Sequence, residues 1–120
     1  MKYITIIYGN KDLWESFPPE EAARLIGEVD AFNRRYQETG EMLGAYGLGD
    51  ELMARTVRVR GGVPAVTDGP YIEAKEFVSS FFLLDVEDEN RALEIAAEYP
   101  FAAYNAVEVW PILHEASDSL

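Results

Sequence analysis

The chain contains no cysteine, which removes disulfide staples, thiolate nucleophiles and Cys-ligated zinc or iron–sulfur centres. Histidine is almost as scarce. His114, the only one, falls past the last strand-like stretch, leaving no Ser–His–Asp arrangement and no imidazole cluster for a metal. Neither a metal nor a cofactor is expected. Basic residues are few: 10 Lys and Arg against 22 Asp and Glu give a net charge of −12, which opposes binding to nucleic acid or anionic membranes. No run of about 18 apolar residues is present, and no small-residue cleavage site follows an apolar core. Neither a membrane span nor a signal peptide is expected, and the expected location is the cytoplasm.

What remains is a globular composition, with 48% hydrophobic and 27% charged residues over 120 positions, the usual size of one domain. Residues 1–114 read as a single domain and 115–120 as a frayed tail. Tyr3-Ile4-Thr5-Ile6-Ile7-Tyr8 is apolar at both parities, the pattern of an interior strand covered on both faces. Gly9 to Asp12 interrupts it, and an irregular loop through Leu13, Trp14 and Phe17 is expected next. Pro18-Pro19-Glu20-Glu21 opens a helix. Ala22, Leu25, Ile26, Val29, Phe32 and Tyr36 form its apolar stripe, and Gly40 ends it.

Glu41 to Gly49 reads as an irregular, glycine-rich strand. Its Gly47-Leu48-Gly49 is too short for a phosphate loop. Thr56 to Arg60 alternates, with Val57 and Val59 on one face. Gly61-Gly62 suits a two-residue hairpin turn, and Val63 to Thr67 returns with an edge-strand proline, Pro64. Phe77 to Val86 is the longest strand. Asp88 caps a second helix with Leu93, Ala96 and Ala97 on its stripe, Pro100 terminates it, and Tyr104 to Leu113 closes the chain as a strand.

The order β-α-β, hairpin, β-α-β predicts an α+β domain of ferredoxin-like plan, an antiparallel sheet with two helices on one face. Tyr3, Ile7, Phe81, Phe82, Leu83 and Leu84 supply apolar side chains to both sheet faces, and two helices cover only one. A bare apolar sheet face is rare in water, so a homodimer packed sheet to sheet is expected.

One constellation carries polar chemistry. Asp68 in the turn Asp68-Gly69-Pro70 reads either as a general base or as a turn former bonding its own downstream amides. Tyr71, Glu73 and Lys75 point one way if that stretch is extended, with Glu76 beside them. They are read as a binding surface for a small polar or aromatic molecule, Asp68 and Lys75 moving a proton without a cofactor, or as a solvated charged segment. Arg55, Arg58 and Arg60 form a basic cluster that receives an anion or an acidic partner, or guards a strand edge.

Asp68-Gly69-Pro70-Tyr71, Glu73-Ala74-Lys75-Glu76, Phe81 to Val86 and Val107-Glu108-Val109-Trp110-Pro111 together resemble the YCII-related proteins, in the branch with a D-G-P-F motif. The resemblance runs from Met1 to Pro111. It implies a dimeric α+β barrel, bacterial and cytoplasmic, similar to small cofactor-free enzymes, some members being linked to sigma factors. A His–Asp pair proposed as catalytic in some members aligns with Val29 and Glu38 here. Tyr71 replaces the motif's Phe, and Trp110 replaces an Arg common before the last Pro. Two functions follow: a homodimer that binds or processes a small molecule, and a non-enzymatic regulatory module acting through protein contacts.

Overall fold

The computed structural model describes residues 1–72 and 74–116. Among the described residues, nine regular elements follow one another: β1 (Lys2–Asn10), α1 (Lys11–Ser16), α2 (Pro19–Glu38), β2 (Met42–Gly47), β3 (Arg55–Arg60), β4 (Val63–Asp68), β5 (Glu76–Asp85), α3 (Glu89–Ala97) and β6 (Val107–Pro111). Short 3-10 turns cover Glu51–Met53 and Pro100–Ala103. The main sheet has the order β2-β5-β1-β6 with every neighbour antiparallel, and β3-β4 form a separate two-stranded sheet. This is the α+β, ferredoxin-like plan that the element order predicts.

Strand parity divides the apolar residues between the two sheet faces. Tyr3, Ile7, Phe82 and Leu84 are buried beneath the helices with Met42. Ile4 pairs with Leu83 and Ile6 with Phe81 on the opposite, open face, where Trp110 and Tyr46 extend the same rows. Helix α2 contributes Leu25, Phe32 and Tyr36 to the core. Its neighbour on the predicted stripe, Ile26, is half exposed. Phe82 stands between Phe32 and Tyr99, with ring centroids 5.6 and 5.7 Å away, so the centre of the core is aromatic.

Three expectations need correction. The segment after Asn10 is a helix rather than an irregular loop, because the Asn10 side chain accepts the amides of Asp12 and Leu13 at 3.0 and 3.2 Å and so caps it. The buried stripe of α3 is Ala92, Ile95 and Ala96, and Leu93 is exposed. Ala92 and Ile95 pack into the core cluster with Phe82, Leu84 and Tyr99, and that packing fixes the inward face. The last strand begins at Val107 instead of Tyr104, since the chain leaves the 3-10 turn at Pro100–Ala103 through a further turn and bend at Tyr104 and Asn105.

Other local signals fold as read. Gly40 has φ +83 just past α2, and Gly61 and Gly62 have φ +56 and +77 in the hairpin turn, the paired left-handed conformation of a type I′ turn. Arg91 grips Glu41 with two bonds of 2.7 and 2.9 Å, latching α3 to the chain entering β2. Glu115, at the start of the expected tail, accepts from Lys2 at 2.8 Å, and 117–120 lie outside the described residues. Among the described residues, no helix is long and apolar enough to cross a membrane.

Candidate pocket at the end of the sheet

β1 and β5 pair in simple register from Lys2–Asp85 to Ile7–Ser80, then slip: Tyr8 pairs with Val78, leaving Ser79 as an extra residue. Bulges of this kind re-aim side chains. Phe77 is thereby turned to the helix side, opposite Gly9. Its ring lies so close that a β-carbon on Gly9 would stand 2.9 Å from it, so a side chain at that position would push the ring aside. Ser79 donates to the Ile7 carbonyl at 3.1 Å, and its own carbonyl takes the Leu48 amide at 2.9 Å.

Above this floor lies a cavity of about 470 Å³, within the range of small-molecule sites. Trp14 and Phe17 of the α1 segment form its roof, Tyr99 and Phe101 close one side, and the loop from Leu48 to Leu52 closes another. The aromatic walls brace one another. Trp14 lies 5.5 Å from Phe101, and Phe17 contacts Tyr104 edge-on at 5.1 Å. The lining is mostly apolar, and its polar groups are Ser79, Ser80, Tyr99, Asn10, Asn105, Lys11, Asp50 and Glu51. Burial pushes the Tyr99 hydroxyl pKa up, with the Ser80 hydroxyl partly opposing it. Tyr99 therefore keeps its proton at neutral pH and acts as a donor. Asp50 is occupied in accepting the Leu52 amide at 2.9 Å.

The residues singled out from sequence fall into two groups. Glu76 accepts from Asn10 at 3.0 Å and from Asn105 at 2.9 Å, two side chains that line the cavity. Bonds from Asn105 first, then Asn10, hold the Glu76 carboxyl below the usual range. Lys75 reaches Asp12 of α1 at 3.3 Å. Lys75 and Glu76 thus stand outside the cavity wall and steady it.

Asp68 and Tyr71 lie elsewhere, at the root of the hairpin. Asp68 has its side chain 89% exposed and pairs with Arg55 at 3.2 Å. Tyr71 is also exposed and sits under the Arg58 guanidinium, 4.8 Å from its ring centroid. Glu73 lies outside the described residues. Trp14 and Phe17, aromatics that read from sequence either as pocket lining or as core or dimer contacts, line the cavity, as do Ser80, Tyr99 and Asn105, which no motif or spacing singles out. The one signal for the site was the density of aromatic residues around the Gly9 break and Pro100.

On the open face of the sheet, Tyr8 donates to Glu108 at 2.6 Å and Trp110 Nε1 donates to the same carboxylate at 3.4 Å. The bond to Glu108 raises the Tyr8 pKa. Among the described residues, no group of three or more Asp, Glu or His is placed to hold a metal ion.

Comparison with known proteins agrees with this architecture. The chain is 30% identical over 98 residues to an uncharacterized protein of Rhizobium meliloti (strain 1021), the match covering 82% of this chain and 79% of the relative. Its fold is similar to that of the 5-chloro-2-hydroxyhydroquinone dehydrochlorinase of Burkholderia phenoliruptrix AC1100, solved in complex with 2,5-dihydroxybenzoquinone, with a TM-score of 0.56, 11% identity and 96% of each chain covered. The YCII-related domain model matches residues 1–115. With nearly its whole length accounted for by that one domain, the chain belongs to the YCII-related family.

Proposed function

We propose that this protein binds a small, flat ring compound carrying a hydroxyl or carbonyl group in the cavity between α1 and the bulged end of the sheet. The observation that carries the reading is an aromatic-walled space of about 470 Å³ with one buried phenol, Tyr99, facing Ser80 at its side. Apolar walls take the ring, and the hydroxyl pair orients its polar atom. A protein of similar fold was solved with a dihydroxybenzoquinone, a molecule of this class. Cofactor-free proton transfer there would use Tyr99 as donor and Glu51, half-buried at the mouth, as acceptor.

Glu76 acts as a positioning residue that holds the two asparagines, and Lys75 adds only a weak, exposed contact to α1. The working unit in this reading is a homodimer joined across the open sheet face, where Ile4, Ile6, Phe81 and Leu83 would otherwise meet water. The other reading, a regulatory module acting through protein contacts, draws on the projecting β3-β4 hairpin alone.

A thermal-shift screen of hydroxylated and keto ring compounds tests the site. A ligand at a hundred times its Kd adds about 2.7 kcal/mol, a rise of about 10 °C for a chain this long. The shift should shrink in Tyr99→Phe and vanish in Ser80→Leu, which fills the cavity. A full shift in Ser80→Leu, or none across the library in the wild type, defeats the proposal.

A further inference from the structure

The β3-β4 hairpin alternates as a strand pair does when one face is buried. Val57 opposite Val66 and Val59 opposite Pro64 share one face, and Arg58 and Arg60 share the other with Ala65 and Val63. Among the described residues nothing covers the apolar face: Val57, Val59 and Val66 are 61%, 65% and 63% exposed. Beyond the root, where Gly69 bonds to Ala54 and Thr56 to Gly69, the only extensive strand or helix contact that either strand makes among the described residues is with the other. A two-stranded hairpin alone is marginal in water.

We infer that this hairpin is an arm that packs its valine face against the acidic body of a second copy of the chain. Charge favours that occupant. Residues 55–68 hold three arginines against one aspartate, a net +2, which leaves −14 on the rest of the chain; Arg58 and Arg60 lie on the face away from the valines, so this charge draws the arm toward another copy at long range. Area favours it too. The chain exposes 8463 Å², roughly 1,900 Å² more than a compact monomer of 13.5 kDa, whereas a stable interface takes about 800 Å² per partner. The radius of gyration, 16.7 Å, likewise exceeds the about 14 Å of a compact domain. Six-residue strands reach roughly 20 Å, matching the 19 Å thinnest extent of the chain. An arm of that length spans a neighbour.

The inference rests on the homodimer proposed above, and the experiment separates the two. Sedimentation equilibrium is run on the full chain, on Val59→Asp and on Arg58→Glu/Arg60→Glu. Val59→Cys, the only thiol in the chain, is labelled with a benzophenone and photolysed in a mixture of ¹⁴N and ¹⁵N copies. A dimer whose dissociation constant rises at least tenfold in both charge variants, with mixed-isotope cross-links from the arm to carboxylate-rich peptides, supports the arm. Unchanged melting of Val59→Asp at monomeric dilution shows that the variant still folds. A wild-type dimer with the same dissociation constant in every variant, or cross-links confined to one chain, overturns the arm and leaves the sheet dimer standing. A wild-type monomer at 100-fold above micromolar concentration overturns both.

Discussion

Helix α1 has six residues and none of them is buried, far below the length at which a helix persists alone, so its place over the cavity depends on what pins it. The Asn10 cap contributes about 1 kcal/mol. The Lys75–Asp12 pair is exposed on both sides and contributes little. The rest comes from Trp14 and from Phe17, which packs edge-on against Trp14, Phe101 and Tyr104 at 6.1, 6.3 and 5.1 Å. Truncating a fully buried Phe costs about 3–5 kcal/mol, and Phe17 is half-buried, so Phe17→Ala should cost about 2 kcal/mol. If α1 opens locally, amide exchange across residues 11–17 should rise about 30-fold. The global midpoint should fall by no more than about 8 °C. Native-state exchange read by mass spectrometry distinguishes the two responses. Exchange within threefold of wild type over 11–17, in a variant that is otherwise folded, would refute the idea that aromatic contacts hold the roof.

Phe82→Ala, at the aromatic centre of the core and 1% exposed, should cost about 3–5 kcal/mol and lower the midpoint by more than 10 °C in calorimetry. Asp68→Asn should leave the midpoint within about 3 °C, since it loses only an exposed pair with Arg55; a larger fall would show that the carboxylate anchors its turn. Glu41 is held below the usual carboxylate range by Arg91, with Thr39 adding a smaller push. Its contribution is therefore complete above about pH 4.5 and lost as pH falls through the lowered folded value. Denaturant titrations should show a smaller loss of stability on acidification in Arg91→Met than in wild type. An equal loss in both proteins would mean that the latch does not couple to pH.

Much of the fold was legible because its signals are local or periodic. The diglycine at 61–62 demanded a left-handed turn, Gly40 ended α2, and the alternating parity of Tyr3–Tyr8 and Phe81–Leu84 assigned two apolar faces before their neighbours were known. The cavity was not legible. Phe77 belongs to it only because the register slips beside Ser79, and strict alternation would send that ring to the open face with Phe81. Tyr99 arrives from beyond α3, and no spacing rule ties it to Ser80. Asp68 and Tyr71 share a motif with Lys75 and Glu76, yet the chain turns between them, so proximity in sequence divided into two places.

The supernumerary residue in β5 lets one strand serve two masters. Upstream of Tyr8, β1 and β5 mesh in the phase that the core requires. Downstream of it, the phase is reversed and the same pair builds a binding floor. Removing Ser79 would restore a uniform ladder, swing Phe77 outward and send Val78 inward, dismantling the receptacle while the rings of Phe32, Phe82 and Tyr99 kept their places. Capacity to bind and capacity to fold are thus written at separable positions on a single ribbon.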